Sequence, residues 1–185
     1  MSLTDLVDVT QYARKYGLKR EVIGLAKIIP PTIDLNLPGL IMHGSEADPY
    51  NILKYGLVPQ QTDDNKIDRE WQVCLGLNSK NQNITILKGL SRKNSAVKYS
   101  GYFSKKGIIY VIDDAVKKLP AYREFWDQGN EGRGYAWITQ PIPPNMIKAL
   151  ITENVPLAAA AATATKTDKP ILKPDGTCYQ IKPLD

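Results

Sequence analysis

Histidine is nearly absent from this chain: 185 residues hold one, His43, together with only two cysteines, Cys74 and Cys178. Zinc sites draw their ligands mostly from these two residue types. Any zinc here would need carboxylates to complete its shell, and no metal site is expected. The cysteines lie far apart without CxxC spacing, so nothing in their placement forces a disulfide. Also missing is any run near the ~20 apolar residues that span a bilayer, so no membrane partner is expected. The opening MSLTDLVDVTQYARKYG carries acids where a signal peptide needs bases, and it lacks an apolar h-region. The expected setting is the cytoplasm, with export that leaves no cleaved signal still open.

What is present is a mildly basic chain, 24 Lys and Arg against 19 Asp and Glu, net +5. The excess gathers in KNSAVKYSGYFSKKG (94–107) and in the C-terminal stretch. Lysines interleaved with tyrosines suit a phosphate backbone and stacked bases, so nucleic-acid contact through 92–106 is one expectation. A solvated face or a pyrophosphate-bearing small ligand suits the same residues.

Apolar residues between 4 and 29 recur at roughly helical spacing, broken by Gly17 and Gly24, which predicts two short helices. Pro30, Pro31 and Pro38 then force an extended path into a strand at LIMH. Ser45 or Asp48 as cap, Pro49 at the first helical position and Gly56 as stop predict a helix over 49–55. A polar loop at 60–70 leads to strands at 71–77 and 84–90, and a further strand is expected at 107–113. Short helices are expected at 115–119, 120–129 and 143–151, with a strand at 135–142 between the last two. The Ala-rich 156–170 reads as a flexible connector or weak helix, followed by a hairpin turning at Asp175-Gly176. The fold class is α+β.

Three groups stand out chemically: His43-Gly44-Ser45 at a strand end, Tyr110 within an apolar strand, and a glycine-dense loop, QGNEGRG, carrying Glu131. A Ser45–His43 nucleophile pair lacks both an acid partner and a strained elbow. Glycine lets a ligand approach the backbone closely, tyrosine stacks on planar rings, and a carboxylate steadies developing positive charge.

MHGSEADPYNILKYGLVP, GIIYVIDDAVKKLPAY and YAWITQPIPPNMIKAL, in that order, resemble the three signature stretches of the ADP-ribosyltransferase superfamily. The resemblance covers roughly 37–152 and implies a split β-sheet core with short helices. A helical segment would precede it at 1–36, and a connector with a terminal hairpin arm would follow at 153–185. It implies NAD as substrate: His43 on the ribose beside nicotinamide, Gly44 on the carboxamide, and Tyr110 on the ring. Ser45 and Tyr122 complete the implied binding set. In the family a glutamate about seven residues before the closing IPP stabilises the oxocarbenium-like centre. Here that position is Tyr135, and the nearest upstream acid is Glu131. The expected function is transfer of ADP-ribose from NAD to an acceptor, which is a protein, a nucleic acid or a small molecule. The alternatives are a non-catalytic binding module, or an assembly protein whose C-terminal arm adds a strand to a neighbour and makes an oligomer.

Overall fold

The computed structural model describes residues 4–29, 32–35, 37–61, 71–77, 107–127 and 133–182. In chain order these form β1 (Thr4–Asp8), α1 (Thr10–Tyr16), β2 (Val22–Ile28), β3 (Ile41–Ser45), α2 (Pro49–Tyr55), β4 (Gln60–Gln61) and β5 (Trp71–Leu77). Then come β6 (Ile108–Ile112), a 3-10 turn (Asp114–Lys118), β7 (Tyr122–Asp127) and β8 (Arg133–Ile138). A second 3-10 turn (Pro144–Met146), β9 (Ile147–Ile151), α3 (Val155–Ala164), β10 (Ile171–Leu172) and β11 (Cys178–Lys182) complete the order. The class is α+β.

The strands make one sheet in the order β1-β2-β11-β10-β9-β6-β3-β5-β8-β7, with β4 beside β5. Its pairings are antiparallel except β9 with β10. Side chains alternate across the sheet. One face sends Ile41, Leu75, Tyr110, Ile138 and Leu150 into a core shared with Ile52 and Leu53 of α2 and the alanines of α3. The other sends Met42, Ile109, Val111 and Ala149 against Leu35 and Leu40.

Several expectations change. The stretch read as two N-terminal helices is strand, helix, strand, because Ile23 and Leu25 are buried as strand residues beside β1 and β11. Residues 122–127 are a strand instead of a helix, which aromatic-rich YREFW favours. The prolines before 147 open only a 3-10 turn, and IKALI then forms β9 between β6 and β10. The strand expected at 84–90 lies outside the described residues.

Of the two readings of the Ala-rich stretch the helix holds and the connector does not: Val155–Ala164 form α3. Ala158, Ala159, Ala160, Ala161 and Ala162 have no accessible surface, and Asn154 caps the helix by accepting from Leu157 N–H. Alanine is the strongest helix former and lets a helix sit close to its neighbours. The terminal hairpin forms with the register Ile171–Tyr179, but not as a free arm. β9 flanks β10 and β2 flanks β11, so the hairpin has no open edge to offer a neighbouring molecule. No helix among the described residues is long and apolar enough to cross a membrane.

Candidate functional site

The chain leaves β3 through a tight turn. Ser45 Oγ accepts from Ala47 N–H at 3.0 Å, and Asp48 Oδ1 accepts from Tyr50 N–H at 3.1 Å, capping α2. Pro49 opens the helix and Gly56 closes it at φ +86°. Leu57 and Ile142 then exchange backbone hydrogen bonds of 2.9 Å in each direction, anchoring the exit of α2. The helix expected over 49–55 is thus where the sequence puts it.

His43 pairs directly with Tyr110 across β3 and β6, so the two side chains share a sheet face. On its other side β3 pairs with β5 only through Ile41–Leu77 and Met42–Gly76. Beyond that point His43 Nδ1 lies 2.8 Å from the Cys74 carbonyl oxygen. The carbonyl can only accept, so Nδ1 carries the proton and a neutral ring presents Nε2 as an acceptor. Burial lowers the His43 pKa from its ordinary value, against a smaller opposing effect of the Cys74 bond. The neutral ring is therefore the form at physiological pH. Gly44 pairs with Ile109, and Ser45 with Ile108.

Tyr110 has no accessible surface, and its hydroxyl is buried without a hydrogen-bond partner among the described residues. Burial raises its pKa, and the nearby Tyr16 and Asp48 raise it further. Those two residues form their own cluster. Tyr16 donates to Asp48 Oδ1 at 2.7 Å, Lys15 Nζ sits 2.9 Å from Oδ2, and the Tyr16 and Tyr50 rings stack at 5.7 Å. Partial burial pushes the Asp48 carboxyl up, but the bonds from Lys15, Tyr16 and Tyr50 outweigh it and hold it below the usual carboxylate range. Asp48 is thus a fixed anion near Tyr110.

Tyr122 stands on β7 and donates to Glu124 Oε2 at 2.8 Å. Burial raises its pKa, with Glu124 and Asp114 adding to the effect. Tyr122 pairs with Ile138 and Glu124 with Ala136, both core residues of the His43 face. Two strands separate β7 from β3, about 14 Å at ordinary strand spacing. The structure therefore brings His43 and Tyr110 together and sets Tyr122 well apart. Glu131 and the basic stretch 92–106 lie outside the described residues.

Sequence reasoning missed Tyr16, Tyr50 and Lys15, and took Asp48 only as a cap. Tyr16 was hidden because it read as one more position of a short helix, with nothing local to show that it meets Asp48. Among the described residues no group of three or more His, Cys, Asp or Glu is placed to hold a metal ion. Cys74 is exposed and Cys178 buried, and both are free thiols.

No protein-family model matches the chain, nor does any curated protein or solved structure.

Proposed function

We propose that the chain binds NAD at the His43 end of β3 and transfers its ADP-ribose to an acceptor nucleophile. The supporting observation is the direct pairing of His43 with Tyr110, with a neutral imidazole whose Nε2 is left to accept from a ribose hydroxyl. In the reaction the bond from ribose C1′ to nicotinamide breaks and its electron pair leaves with nicotinamide. The acceptor bonds to C1′ and gives up its proton. A fixed carboxylate beside the cationic centre is worth about 3–4 kcal/mol, by analogy with one preorganised oxyanion donor. Glu131 is the acid the family resemblance points to. Asp48 is the carboxylate near Tyr110 among the residues discussed above. The activity is placed in the cytosol, where thiols such as Cys74 and Cys178 stay reduced.

The second reading is a non-catalytic binding module built on the same residues. It is favoured by the complete burial of Tyr110, which leaves no ring face for nicotinamide. A thermal-shift titration with NAD tests binding. Wild type should rise in melting temperature with NAD, and His43→Ala should lose that rise. Saturating NAD that leaves the wild-type melting temperature unchanged refutes both the transfer and NAD-module readings.

A further inference from the structure

A cleft of about 520 Å³ opens between the turn after α1, the start of β2, the end of β11 and the C-terminus of α3. That size falls within the range of small-molecule sites. Leu18, Ile23 and Ile181 give it an apolar floor. Lys19, Arg20, Lys166 and Lys182 line it with four cations against one carboxylate, Asp168. The carbonyl end of α3 adds only about half a negative charge, which the net cationic lining outweighs.

Two features mark the α3 side of this cleft. Thr167 lines it, and its Oγ1 is buried with no hydrogen-bond partner among the described residues. Lys166 holds φ +56°, the one non-glycine residue at positive φ among the described residues. It occupies the left-handed position of a helix-ending motif, where Lys166 N–H donates to Thr163 O at 3.1 Å and Thr167 N–H to Ala162 O at 2.9 Å. Glycine adopts that conformation freely and lysine adopts it at a steric cost. A side chain kept there against that cost, on the wall of a cationic cleft, suits ligand contact better than folding.

We infer that this cleft binds a small amphiphilic anion, an apolar body carrying one sulfonate, carboxylate or phosphate. The apolar body lies on Leu18, Ile23 and Ile181, and the anion meets the lysines. The site is separate from His43 and does not rest on NAD binding.

The test is a fluorescence titration of the full chain with 1-anilinonaphthalene-8-sulfonate, alongside the uncharged N-phenyl-1-naphthylamine. Wild type should bind the sulfonate saturably at one site and more tightly than the neutral probe. Lys166→Gly should weaken sulfonate binding about fivefold, the upper range for one exposed charge contact. Its urea midpoint should hold or rise, because glycine relieves the left-handed backbone. Lys182→Gln should weaken the sulfonate similarly, and neither variant should change binding of the neutral probe. Sulfonate binding that both variants leave intact overturns the inference, as does a neutral probe that binds equally well. So does association with phosphatidylglycerol vesicles in the absence of saturable binding of the dissolved probe.

Discussion

The imidazole of His43 carries two bonding roles that cannot be exchanged. With Nδ1–H committed to the Cys74 carbonyl, protonating the ring removes the Nε2 lone pair and with it the proposed ribose contact. Burial holds the folded pKa below the ordinary 6.5. A depressed folded pKa means that the unfolded chain takes up the proton first. The stability contribution is therefore complete above 6.5 and is lost as pH falls through the lower folded value. The NAD-induced melting shift should accordingly stay constant from mildly alkaline pH down to 6.5 and decline only below it. A decline already under way above 6.5 contradicts this account. Tyr110 gives the complementary prediction. Leaving a buried hydroxyl unpaired costs about 1–3 kcal/mol, so Tyr110→Phe should raise the urea midpoint. A lower midpoint would show that the hydroxyl has a partner in the folded chain.

Among the elements, α2 and its exit were legible because each of their positions is set by local chemistry. Asp48 caps, Pro49 starts, and Gly56 stops at a φ only glycine holds easily. A Cβ at Gly56 would also overlap the Ile142 carbonyl oxygen. Gly56→Ala should therefore destabilise the fold by about 2 kcal/mol or more, beyond the ordinary overpacking cost at its low end; chemical denaturation reads this directly. The burial of α3 was not legible, because an alanine run carries no apolar stripe and its burial is decided by what packs on it. Ala160 meets Val9 and Ile23 from the α1 side, and its neighbours meet the main core. Ala160→Leu should cost about 1–3 kcal/mol by overpacking. A neutral result would mean that α3 has room above it. Residues 4–8, 22–28 and 147–151 were misread for a related reason. Short apolar runs carry either period, and only their partners in the sheet decide between helix and strand.

At the scale of the whole molecule, sequence order and spatial order diverge. β11 lies beside β2 and β10 beside β9, so the two ends of the chain meet in one sheet with the strands that carry His43 and Tyr110. No local signal announces such long-range pairing, which is why the terminal hairpin read as an appendage. The pairing of β3 with β6 is equally long-range: each strand was expected from the sequence, but their partnership was not. Removing 153–185 should strip α3, β10 and β11 from the core and abolish cooperative unfolding by circular dichroism. A truncated chain that still melts cooperatively would restore the appended-arm reading.

The central claim is that His43 holds a ribose for chemistry. The measurement that tests it most directly is nicotinamide release from NAD by wild type, His43→Ala and Glu131→Gln. The account predicts release by wild type, loss with His43→Ala, and a large fall with Glu131→Gln. No release above background from wild-type protein that binds NAD contradicts catalysis and leaves the binding module.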